Sequence, residues 1–102
     1  LSLHDALPIS VLPGAEKAAD DFLYTAAGQR NRNHTGPYVT FENVPFAMEE
    51  VLFDPQTSGG LLLAVLPEEA KALEAELQAA GLPAKIVGEI IPKTEQEITV
   101  KY

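Results

Sequence analysis

The sequence contains no cysteine, which excludes disulfides, a zinc–thiolate centre and a thiol nucleophile within these residues. Basic residues are also scarce. Seven Lys and Arg stand against fifteen Asp and Glu, for a net charge of −8. A surface that negative repels nucleic acid and anionic lipid, so neither is an expected partner. Long hydrophobic runs are missing too. The longest is residues 61–66, ended by Pro67, far short of the roughly 18 residues of a membrane span. What is present looks globular: 46% hydrophobic and 22% charged residues argue against a wholly disordered chain. At 102 residues the chain is one domain or a piece of one. It opens on Leu1 rather than Met, the first hint of a fragment, and the lack of cysteine suits a cytoplasmic protein.

Residues 1–9, LSLHDALPI, lack the basic start and continuous apolar core of a signal peptide. They resemble the in-frame translation of a common short-read sequencing adapter. Residues 1–10 are therefore read as a non-native leader, with the native reading starting near Ser10 or Val11 and no chemistry assigned to His4 or Asp5.

From Val11 onward the periodicities predict an α+β chain. Ala15, Ala18, Ala19, Phe22 and Leu23 share one helical face, giving a helix over 15–25. Residues 28–37, GQRNRNHTGP, are polar, aperiodic and rich in turn formers, and read as a loop. Residues 38–41 alternate like a short strand, and 42–52 are ambiguous because Pro45 interrupts them. Residues 54–60 form a second loop. It empties into the apolar run 61–66, which reads as a strand buried on both faces. Pro67 at a first helical position, Glu68 and Glu69 in the first turn and Gly81 at the end predict a helix over 67–80. Strands are expected over 84–91 and 97–102. The tail is thus strand–helix–strand–strand, packed as a small layered sheet.

Two stretches have the residue types for ligand chemistry. In residues 54–60, DPQTSGG, Pro55 sets a turn and Gly59 and Gly60 admit positive φ and close approach. Thr57 and Ser58 add hydroxyls, and successive amides there can cradle an anion. The competing reading is a tight turn feeding a buried strand. Unlike a phosphate-binding P-loop, this segment has no following helix or Lys. In residues 28–34, Arg30 and Arg32 offer planar donor forks suited to phosphate or carboxylate, with Asn31 and Asn33 beside them. Here the alternative is a solvated loop whose arginines pair with surface acids. No carboxylate set has metal-ligand spacing, and no residue is assigned a catalytic or metal role.

The run LFDPQTSGGLLLAV over 52–65 resembles the signature of selenophosphate synthetase (selenide, water dikinase). Leu12-Pro13-Gly14-Ala15, Arg30-Asn31 and Ile86-Val87-Gly88-Glu89-Ile90 match the family's pattern on either side, so the resemblance covers nearly all of 11–102. One departure is Ala26-Ala27-Gly28-Gln29, where many members carry Gly-Gly-Thr before the residue preceding Arg-Asn. The resemblance implies a two-domain enzyme related to aminoimidazole-ribonucleotide synthetase, with residues 11–102 as the later part of its C-terminal domain. The implied reaction converts ATP, selenide and water into selenophosphate, AMP and phosphate. It also implies a nucleophilic Cys or selenocysteine, a catalytic Lys and Mg²⁺-binding aspartates upstream, so ATP and Mg²⁺ are held mainly by the N-terminal domain and the present chain is inactive alone. That N-terminal domain is the expected partner, within a homodimer. The supporting substrate- or phosphate-binding set is Arg30, Asn31, Asp54, Gln56, Thr57, Ser58, Gly59 and Gly60. Competing readings are another ATP-using enzyme of the same superfamily, or a non-enzymatic, anion-binding ferredoxin-like module.

Overall fold

The computed structural model describes residues 2–4, 11–56, 59–93 and 95–101. In chain order the elements are β1 (Ser2–His4), α1 (Ala15–Asp20), α2 (Ala26–Thr35), a 3-10 turn (Gly36–Tyr38), β2 (Val39–Glu42), α3 (Phe46–Phe53), α4 (Pro67–Ala79), β3 (Glu89–Ile91) and β4 (Ile98–Lys101). The strands form one sheet in the order β2-β4-β1-β3. β2 runs parallel to β4 with Phe41 opposite Val100 and Glu42 opposite Lys101, and that last pair closes a salt bridge of 3.8 Å. β1 lies parallel to β4 and antiparallel to β3. The α+β class expected from the sequence holds.

α1 stops earlier than its apolar face suggests. The Leu23 amide donates to the Ala18 carbonyl (2.8 Å) and the Phe22 amide to that of Ala19 (3.0 Å). This crossed pair is the hydrogen-bond pattern that ends a helix through a left-handed residue. That residue is Phe22, at φ 63°. α4 ends the same way, with Leu82 donating to Leu77 and Gly81 to Gln78 (3.0 Å each), but there the left-handed position belongs to Gly81, at φ 83°.

The loop expected over 28–37 is instead helix α2. Thr25 caps it: the Thr25 hydroxyl accepts from the Gly28 amide at 3.0 Å, satisfying one orphan donor of the first turn. No apolar stripe announces the helix because its inner face meets polar groups of α3 rather than a hydrocarbon core. The ambiguous segment after it becomes α3, entered through Pro45, whose missing amide costs nothing at a helix start.

The strand expected over 61–66 is corrected. These residues form no strand, and Leu61, Leu62 and Leu66 stand 89%, 72% and 58% exposed. A strand buried on both faces needs a hydrogen-bonded neighbour and covering layers, and no described segment pairs with this one. The first strand of the expected tail is therefore absent, and of the strand over 84–91 only Glu89–Ile91 pairs. α4 forms as its end signals predict, with Ala70, Leu73 and Leu77 half-buried and Ala80 exposed just past its end.

The core is small and sits where α3 meets α1 and the sheet. Ala19, Ala47, Met48, Phe53 and Val100 are buried there. Phe53 meets Phe41 of β2 edge to face, ring centroids 5.6 Å apart, an arrangement aromatic quadrupoles favour.

Candidate functional site

The candidate residues gather along the seam between α2 and the end of α3. Thr25 serves both sides of it. While accepting from the Gly28 amide, its hydroxyl donates to Asp54 Oδ1 at 2.9 Å. Gly28 is buried in the same corner: a Cβ there would lie 3.3 Å from Thr25 Oγ1 and 3.8 Å from the Asp54 backbone. One turn on, Asn31 Nδ2 donates to the Phe53 carbonyl at 2.8 Å, taking up an acceptor left free at the helix end. Asp54 and Asn31 are thereby fastened to one seam although 23 positions separate them.

Arg30 lies on the outer side of α2. It is exposed and makes no ion pair or hydrogen bond among the described residues. Arg32 behaves oppositely: of its two readings, pairing with acids is the one seen, though with a buried acid rather than a surface one. Its Nε donates to Glu50 Oε1 at 2.8 Å and its Nη2 pairs with the same carboxylate. Glu49 lies 3.6 Å from Nη1. The guanidinium also sits 4.8 Å from the ring centroids of both Phe46 and Phe53, within cation–π range. Its charge is spent inside the fold.

Of the second loop, Asp54 is half-buried and Gln56, Gly59 and Gly60 are exposed. Thr57 and Ser58 lie outside the described residues. Gly59 supplies room: a Cβ there would come within 3.1 Å of Gln56 Cβ and 3.3 Å of the Gln56 carbonyl oxygen, so the turn closes on itself. Among the described residues the glycines at positive φ are Gly14 and Gly81. Gly59 and Gly60, both expected to use that freedom, are not among them, and a Cβ on Gly60 would meet open space.

Sequence reasoning missed Thr25, Gln29, Arg32 and Glu50 as the residues that hold the seam. Gln29 and Arg32 are spaced i, i+3 and would share a helical face, a signal usable only once 26–35 is known to be helical. Glu50 was hidden in the ambiguous segment. Among the described residues no three His, Asp or Glu side chains gather to hold a metal ion, and no helix is long and apolar enough to cross a membrane.

Residues 10–101 match the family described as AIR synthase related protein, C-terminal domain. Similar curated proteins include a selenide, water dikinase from Agathobacter rectalis, 56% identical over 97% of this chain and 29% of its own length. Others are selenide, water dikinases from Desulfitobacterium hafniense, 42% identical over 84% of this chain and 26% of that protein, and from Treponema denticola, 40% identical over 95% and 28%. The chain spans less than a third of the length of these relatives. With a fold of the same class and a match along nearly its whole length, the chain belongs to the AIR synthase related C-terminal domain family.

Proposed function

We propose that this chain is the later part of the C-terminal domain of a selenide, water dikinase, and that α2 and residues 54–60 line the cleft facing that enzyme's N-terminal domain. The sequence identity to the Agathobacter rectalis protein supports the assignment. The observation that carries the placement is the seam itself. Thr25 and Asn31 fasten the end of α3, and with it the start of the 54–60 loop, to α2, while Arg30 is exposed and makes no ion pair among the described residues.

In this reading the parent turns ATP, selenide and water into selenophosphate, AMP and phosphate in the cytoplasm, as a homodimer. Arg30 supplies positive charge to a phosphate or anionic intermediate. Thr57, Ser58 and the amides of Gly59 and Gly60 donate hydrogen bonds, as does Gln56. Donors fixed before reaction stabilise developing charge without reorganising. Asp54 acts by folding the loop, because Thr25 already donates to its carboxylate. Mg²⁺, which accompanies ATP in phosphoryl transfer, does not fit a donor set among the described residues, so the chain's role is derived without it. With no cysteine for the nucleophile, the chain alone is inactive.

Residues 1–10 are proposed as an adapter-derived leader because the family match starts at residue 10; against it, Ser2–His4 form β1, which pairs with both β4 and β3. The Agathobacter rectalis alignment covers 97% of the chain and runs further, so the parent nucleotide contig decides. Native coding sequence continuing upstream through these codons would overturn the leader.

The test of the site is Arg30→Ala and Thr57→Ala in the full-length parent. Each is expected to lower kcat/KM for ATP by about tenfold or more, the cost of losing one preorganised donor. Wild-type selenophosphate yield and ATP affinity in both variants would reduce the two segments to scaffolding.

A further inference from the structure

Glu50 is the most buried side chain described, its carboxylate fully shielded from solvent. Among the described residues its hydrogen-bond donors both come from α2, Gln29 Nε2 on one oxygen and Arg32 Nε on the other. Arg32 Nη2 adds an ion-pair contact to the second oxygen without a hydrogen bond. Arg32 is further gripped by two rings of α3, Phe46 and Phe53. Gln29 and Arg32 are the residues immediately flanking Arg30 and Asn31.

A buried ion pair is a poor device for stability alone. Desolvating the charges offsets most of their attraction, and apolar replacements of similar volume often do as well. What such a pair supplies that an apolar contact does not is direction. A carboxylate with donors on both oxygens tolerates little rotation or sliding of the helix that carries those donors. On α2, a rotation of one residue position, roughly 100°, would carry Arg30 from its outward place into the seam-facing place of Asn31.

Resting on the reading that Arg30 meets the substrate anion, we propose that Glu50 is a positioning residue. Through Gln29 and Arg32 it sets the rotation and register of α2, and so fixes where Arg30 stands relative to the loop at 54–60. Glu50 itself touches no substrate.

The experiment is a double-mutant cycle in the full-length parent, pairing Glu50→Gln with Arg30→Ala and reading kcat and KM for ATP separately. Gln keeps the shape of Glu but replaces one acceptor oxygen with a donor facing donors. Glu50→Gln is expected to reduce kcat/KM about tenfold when Arg30 is present and less than twofold in the Arg30→Ala background, the non-additivity of residues acting through one another. Equal losses in both backgrounds, or no loss in either, would overturn the proposal while leaving the role of Arg30 intact. A wild-type Arg30→Ala enzyme would instead overturn the site reading, and the positioning role with it. Should Glu50→Gln fail to fold, Arg32→Lys supplies the same cycle, because it keeps the charge but loses the fork and the ring contacts.

Discussion

Phe53 and Leu63 are both large apolar side chains, yet Phe53 is 8% exposed and Leu63 56%. The first lies in the packed part of the molecule, where α3 meets α1 and α2 and its Phe53 ring meets Phe41 of β2. The second belongs to the stretch from 61 through α4, where no residue of the helix is buried. Hydrophobicity does not separate them, since residues 61–66 are the most apolar run in the chain. Available partners do. α3 has a β-strand ring on one side and a polar helix face on another, while the 61–66 run has no strand beside it among the described residues. Burial is decided by what the rest of the fold presents, and composition alone does not report that.

The largest expected effect tests the packed region. Phe53→Ala removes a ring that touches Phe41 and the Arg32 guanidinium, leaving a cavity beside a buried charge. It is expected to destabilise the chain by about 4 kcal/mol, the usual range for a buried aromatic. Urea denaturation of the 102-residue chain measures it, as a fall in midpoint at unchanged slope. A loss below about 1 kcal/mol would mean that this region is no better packed than the stretch after it.

The same contrast explains what could be read beforehand. α4 was legible because its signals are local: Pro67 at the start, acids in the first turn and Gly81 at the end. The strand β4 was legible within a residue or so of its ends. α2 was not, because a helix whose inner face is Gly28, Gln29, Asn31 and Arg32 shows no apolar period and looks like solvated loop. The buried partner that makes it a helix face, Glu50, is invisible from the segment itself. The end of α1 was hidden for a related reason: Phe22 occupies a position where glycine would have marked the boundary. Of the candidate site, the residue types and their two clusters were legible. That Asn31 and Asp54 share a seam was not; pairing of Arg32 with an acid was one of its two readings, but that the acid is the buried Glu50 was not legible.

Phe22 gives an intermediate test, with the two helix ends as its controls. Gly81 takes φ 83° with no Cβ to accommodate, whereas Phe22 holds φ 63° with a bulky side chain 76% exposed. Left-handed backbone costs an L-residue about 1–2 kcal/mol. Tyr24 lies beside the ring at 6.4 Å between centroids, which offsets part of the gain. Phe22→Gly is therefore expected to stabilise the chain by about 1 kcal/mol, seen as a higher denaturation midpoint. Destabilisation of that size would show that the Phe22 ring is held by more than Tyr24.

The smallest expected effect is the sharpest on the comparison. Leu63→Ser changes an exposed side chain in a segment with no described strand partner, so the stability of the chain should move by less than about 0.5 kcal/mol. The prediction is asymmetric. If residues 61–66 stand free, replacing a leucine with serine removes an apolar group from water and costs nothing in packing. If the run is docked against other residues in solution, the same change buries a hydroxyl and opens a cavity, with a loss of about 2 kcal/mol or more. In the full-length parent, where the proposed preceding residues are present, the second outcome is the expected one. A large loss in the parent and none in the 102-residue chain would trace the exposure of this run to missing partners. Equal, small losses in both would mean that the run is a surface segment by design, and that its apolar character needs another explanation.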